Sequence, residues 1–142
     1  MSLKDQIAIV TQLQRHVDDR GLLDQIYNSD LPMEVKRIYT VFSPKGIIRA
    51  FHKNIGEYKY FYMLKGTARF VAVDKEKDIL TQFVLTDRKA ELLIVNPDVW
   101  NGWQALSDAS VLGLATTTMK EHKDERCDAM AFGNEIWRVK PR

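Results

Sequence analysis

The chain has 142 residues and a formal net charge of +2, with 45% of residues hydrophobic and 28% charged. That length suits one domain with a buried core, and that balance excludes a disordered chain. The basic residues are scattered, which argues against a nucleic-acid or membrane surface and leaves Arg and Lys better placed for a small anionic ligand.

Cys127 is the only cysteine, which excludes an intrachain disulfide framework and fits a reducing compartment. No apolar run approaches the length of a bilayer span, and the N-terminus lacks the basic-then-apolar pattern of a signal peptide. A cytoplasmic location is the expectation.

Taken in order, residues 4–17 are ambiguous. Ile7, Ile9 and Val10 suit an edge strand, while Gln6, Val10, Leu13 and Val17 also fit a helical face. A strand with a short helical turn is expected there. Asp18-Asp19-Arg20-Gly21 breaks the pattern as a turn, and residues 22–27 resume an extended run before the loop at 28–32.

From residue 35 short β-branched and aromatic runs alternate with turn signals. Strands are predicted over 35–42, 47–51, 60–64, 67–73, 79–85, 91–95, 104–106 and 110–117. Ser43-Pro44-Lys45-Gly46 places Pro and Gly where a type I turn favours them, and a charged hairpin is expected at 74–78. Many short strands with few short helices indicate an all-β, jelly-roll-type barrel filling residues 1–142 as one domain. Residues 120–126 read as a solvated charge run. The aromatic segment that follows, through Phe132, Gly133 and Trp137, reads as packing back on the barrel to close it.

Residues 46–66 form the centre of this pattern. They hold His52 in a strand-like run, Arg49 three residues before it, and Lys59 beyond the turn at 54–56. Consecutive strands joined there would direct an imidazole, a guanidinium and an ammonium to one mouth. Strict alternation puts Arg49 and His52 on opposite faces, so they share a pocket only if a bulge or strand end intervenes. Arg20, Asn101, His122 and Asp128 complete the polar candidates. A histidine backed by a carboxylate is a general base at neutral pH, and a nearby Lys or Arg stabilises an enolate oxygen. That pairing suits proton abstraction beside a ketone without a cofactor. A metal site is not expected: one imidazole, His52, with Glu57 as the carboxylate would bind zinc or iron poorly.

Residues 46–52, Gly-Ile-Ile-Arg-Ala-Phe-His, resemble the G-V-L-R-G-L-H strand of the dTDP-4-dehydrorhamnose 3,5-epimerases, which are metal-independent cupins. Residues 18–23 resemble their D-E-R-G-x-F entry, residues 59–66 their K-x-V-x-x-x-x-G strand and Asp74 their V-D-x-R turn; residues 96–103 fall where they read I-P-x-G-x-A-H-G-F. The resemblance implies a cupin-type jelly roll acting on a nucleotide sugar, and a homodimer formed by exchanged or paired edge strands. It makes His52 the base that removes a proton α to a 4-keto group, Asp128 its paired carboxylate, and Lys59 and Arg49 the enolate stabilisers. Arg20 would meet the nucleotide diphosphate, and Asn101 and His122 would line the substrate pocket. No cofactor is implied. Asn101 stands where the family has a histidine, and no tyrosine stands near 118–121, where the family carries its catalytic acid. Those departures leave three outcomes open: sugar epimerisation, 3,4-ketoisomerisation or single-carbon epimerisation, and sugar binding without catalysis.

Overall fold

The structure, a computed structural model, describes residues 6–26 and 30–140. Its strands, in chain order, are β1 (Ala8–Gln12), β2 (Arg15–Asp18), β3 (Gly21–Asp24), β4 (Arg37–Ser43), β5 (Ile48–Asn54) and β6 (Lys59–Lys65). They continue with β7 (Thr67–Asp74), β8 (Ile79–Thr86), β9 (Glu91–Val95), β10 (Trp100–Ala105), β11 (Ala109–Ala115) and β12 (Asp124–Arg126), before a 3₁₀ turn at Glu135–Trp137. Two antiparallel five-stranded sheets, ordered β1-β9-β6-β11-β4 and β12-β5-β10-β7-β8, face each other, and β2 and β3 make a separate hairpin. This is the expected all-β jelly roll of the cupin type.

Alternation explains which residues meet between the sheets. In β6, Phe61 and Met63 point into the sandwich with Phe70, Leu93, Trp103 and Val111, while Tyr60 and Tyr62 point out. The outward pair is still buried, beneath Ile26, Leu31 and Val35. Coverage on both faces is why this run reads as continuously apolar. Strand β4 has one face open: Tyr39 and Val41 turn inward, whereas Ile38 and Phe42 are exposed.

Several expectations change. No helical turn occurs between β1 and β2; Leu13 instead donates its amide to the Ala90 carbonyl. The strand predicted over 22–27 is the short β3, and Tyr27 lies outside the described residues. β5 and β6 are not paired with each other: β5 lies between β12 and β10, and β6 between β9 and β11. The turn between them is an arch from one sheet to the other, so His52 and Lys59 approach the interior from opposite walls. β10 spans Trp100–Ala105, beginning earlier than the strand predicted over 104–106. Trp137 packs on the outer face of the second sheet, against Phe51 at 5.5 Å between ring centroids, and does not close the barrel. Among the described residues no helix is long and apolar enough to cross a membrane.

Candidate active site

A cavity of about 500 Å³ opens between the sheets. β4 contributes Tyr39, β5 Arg49 and His52, β6 Lys59 and Phe61, β10 Asn101 and Trp103, and the tail His122, Asp124 and Arg126. Arg49 and His52 both reach it because the β5–β10 ladder is irregular. Asn101 pairs with His52 and Trp103 with Arg49, so three steps on β5 match two on β10. The extra residue is a bulge that turns both side chains to one face. The Ala50–Phe51 peptide within it is cis. Gly102 lets the strands approach at this point, since a Cβ there would lie 2.3 Å from the Cβ of Ala50.

His52 places Nδ1 3.1 Å from Oδ2 of Asp124. β12 pairs with β5 so that Arg126 is opposite His52 and Asp124 opposite Asn54, which sets the carboxylate diagonal to the imidazole. Burial alone would raise the Asp124 carboxyl. Hydrogen bonds from His52 and Arg126, with the charges of Arg126 and His122, outweigh it and hold the group below the usual carboxylate range. A carboxylate on Nδ1 fixes the ring and its tautomer and leaves Nε2 for a substrate.

The opposite wall carries a second cluster. Lys59 donates through Nζ to the hydroxyl of Tyr39 at 2.9 Å and lies 4.5 Å from that ring's centroid. Burial lowers the Lys59 ammonium to about 8, against the upward pull of Glu57. Burial likewise pushes the Tyr39 phenol up to about 12, so it stays protonated at neutral pH. Glu57 is 1% exposed. Its Oε1 accepts from Thr117 at 2.6 Å and lies 3.0 Å from Arg37, while its Oε2 lies 3.2 Å from Nδ1 of His122 and 4.0 Å from Lys59. A buried carboxylate is tolerated when it is this fully paired.

The residues expected from sequence divide accordingly. His52, Lys59, Arg49, Asn101 and His122 line one cavity. Asn101 is buried and spends its amide on the carbonyls of His52 and Val99. Arg20 lies outside the cavity, exposed on the β2–β3 turn and paired with Asp18. Asp128 is also outside: its carboxylate accepts the amide of Met130 at 2.7 Å. The structure places Asp124, not Asp128, on His52, because β12 ends at Arg126 and the chain then crosses to the outer face of the sheet. Asp124, Tyr39 and Arg37 were missed, and Glu57 was considered only as a metal ligand. Asp124 was hidden in a run that reads as a solvated face, although its offset of two from Arg126 fits one face of a strand. Among the described residues no group of three or more His, Cys, Asp and Glu is arranged to hold a metal ion.

The model of the family described as "FdtA: WxcM-like, C-terminal" matches residues 6–137. The chain belongs to this family. Two sequence relatives are named as a sugar-pathway epimerase and a sugar oxoisomerase. The probable low-salt glycan biosynthesis epimerase Agl13 of Haloferax volcanii is 26% identical over 125 residues, covering 81% of this chain and 80% of that protein. The TDP-4-oxo-6-deoxy-alpha-D-glucose-3,4-oxoisomerase of Aneurinibacillus thermoaerophilus is 27% identical over 117 residues, covering 81% and 82%. In fold, this FdtA-family chain is similar to the dTDP-4-dehydrorhamnose 3,5-epimerase of Sulfolobus tokodaii, with a TM-score of 0.78 at 22% identity over 95% of this chain and 81% of that one. The resemblance read from residues 46–52 and the motifs around them is thereby borne out for the fold.

Proposed function

We propose that this protein is a cofactor-independent isomerase that abstracts a proton α to the keto group of a TDP-4-keto-6-deoxy sugar and moves the oxo group between C3 and C4. The observation that carries the reading is His52. It is a base held by Asp124 at 3.1 Å on one wall of a cavity whose opposite wall presents Lys59 and Tyr39. Nε2 of His52 takes the carbon-bound proton. The resulting enolate oxygen is stabilised by the Lys59 ammonium and by the Tyr39 hydroxyl, whose own proton is free to point at substrate because its oxygen already accepts from Lys59. Tyr39 gives its proton to O4 to form the enediol, and return of the proton from His52 to C4, with the O3 hydroxyl proton passing back to the Tyr39 oxygen, completes the isomerisation. Substrate class is supported by the oxoisomerase relative, and Arg49 and Arg126 at the mouth supply charge for the diphosphate.

The oxoisomerase outcome is favoured over 3,5-epimerisation by the tail. Where the epimerases carry their acid tyrosine, this chain makes a turn in which Glu121 accepts from the Thr118 hydroxyl. Epimerisation at one carbon remains the second reading, because Tyr39 and His52 stand on opposing sheets and could serve opposite faces of a sugar. The active unit is proposed to be a homodimer.

The test is product analysis by NMR after incubation with TDP-4-keto-6-deoxyglucose. Wild type is expected to yield the 3-keto isomer, and H52N none, with the far-UV circular dichroism of the two alike. Unchanged turnover by H52N would overturn the assignment of the base. A product inverted at one carbon would select the second reading.

A further inference from the structure

Glu57 is a buried carboxylate for which the isomerisation has no step. It sits in the arch two residues ahead of Lys59, 1% exposed, and does not line the cavity. Burying a carboxylate costs free energy that its pairing must offset. Its two oxygens face different neighbours. Oε1 accepts from the Thr117 hydroxyl at 2.6 Å and lies 3.0 Å from Arg37, which anchors the group. Oε2 is left 3.2 Å from Nδ1 of His122 and 4.0 Å from Nζ of Lys59.

Lys59 is the neighbour whose charge state this position controls. Its ammonium donates to a neutral group, the Tyr39 hydroxyl, at 2.9 Å, and burial favours the uncharged amine. Arg37 on β4 repels the ammonium, whereas Glu57 in the arch and Asp124 on β12 attract it, and Glu57 acts more strongly than Arg37 or Asp124. His122 shares Oε2 of Glu57, and His52 stands on the opposite wall with Asp124. Separation matters as much as sign. A carboxylate in direct contact would take up an N–H that the enolate oxygen needs. At 4.0 Å, in a poorly solvated wall, Glu57 holds the charge and leaves Nζ its remaining N–H groups for substrate.

We propose that Glu57 is the counter-ion that keeps the Lys59 ammonium charged where the enolate oxygen forms, a positioning residue that acts through Lys59 without touching substrate. This rests on the isomerase reading above. The carboxylate acts by its field alone. No proton leaves Glu57 or Lys59 during the cycle, and Lys59 remains an ammonium throughout.

The experiment is kcat/KM against pH, from pH 6 to 9.5, for wild type and E57Q with TDP-4-keto-6-deoxyglucose. Glutamine suits the site, since its carbonyl can accept from Thr117 and Arg37 while its amide turns to His122. In wild type the alkaline limb is expected at about 8. In E57Q it is expected about one pH unit lower or more, the effect of removing an opposite charge at this range. A purely structural role would lower kcat/KM at every pH without moving the limb. An unmoved limb in E57Q would overturn the proposal. E57D is the second variant, should E57Q fail to fold. It keeps the charge but withdraws it from Lys59, so its limb is expected below that of wild type, and coincident limbs would likewise overturn the proposal. If wild type turns over no sugar, the isomerase reading fails separately. The counter-ion is then read in the unliganded protein from the ¹³C NMR titration of the Lys59 side chain. Its midpoint is expected lower in E57Q than in wild type, and equal midpoints would overturn the assignment.

Discussion

In the proposed mechanism His52 takes a proton from substrate through Nε2, because Asp124 occupies Nδ1. Replacing Asp124 by Asn is expected to lower kcat roughly 10²–10⁴-fold, the range of a positioned acid–base group. D128N is expected to leave kcat near wild type, since the Asp128 carboxylate lies outside the cavity and accepts the Met130 amide. Equal losses in the two variants, measured by steady-state kinetics, would contradict the geometry. Lys59 gives a pH signature. In the proposed mechanism charged Lys59 stabilises the enolate, so kcat/KM is expected to fall as pH rises through about 8, and this alkaline limb should be absent in K59Q. The same shift affects stability. The folded state holds Lys59 at about 8, below the free value of 10.5, so between those values the unfolded chain binds the extra proton. Stability therefore rises with pH in that window, by at most about 3 kcal/mol from this group. Urea unfolding of wild type against K59M from pH 7 to 9.5 reads it; parallel curves would count against a buried Lys59. His52 and Lys59 were legible because motif and strand pattern agree on them. Glu57 was not, since a buried carboxylate looks like a surface one until Arg37, Thr117 and His122 are seen around it.

At the level of elements, the site depends on two close backbone approaches and one added strand. Gly113 of β11 is opposite Tyr39 of β4, and a Cβ there would lie 2.2 Å from the Tyr39 ring. G113A is expected to swing Tyr39 away from Lys59, keeping the fold and lowering activity; a crystal structure with the 2.9 Å bond intact would contradict that account. The outer layer is held by Trp137, buried against Phe51, with its indole N–H donating to the Ala129 carbonyl. W137A is expected to cost about 3–5 kcal/mol in denaturant unfolding. β9 was legible to the residue because its signal is local: a short apolar run between turns. β12 was not, because the partner that makes Asp124-Glu125-Arg126 a strand is β5, far away in sequence. The turn between β5 and β6 was legible as a turn, but a turn signal shows only that the chain reverses, not whether it returns to the same sheet.

For the whole molecule, two facing sheets bring groups from β4, β5, β6 and the tail into one cavity, and order along the chain alone could not show that. The outer face of the first sheet leaves Ile38, Phe42 and Leu64 exposed. Exposed apolar side chains on one sheet face suit contact with a second copy, and sedimentation is expected to show a homodimer; a monomer at assay concentration would contradict it. The central claim is chemistry at a carbon next to a ketone. Its most direct test is to incubate wild type and H52A with TDP-4-keto-6-deoxyglucose in D₂O and follow the C3, C4 and C5 protons by NMR. The account predicts deuterium at a carbon bonded to the keto carbon or at the keto carbon's neighbour after transfer, in wild type and not in H52A. Detectable binding by wild type with no deuterium at any ring carbon and no isomeric product would contradict it, and would make this chain a sugar-binding cupin.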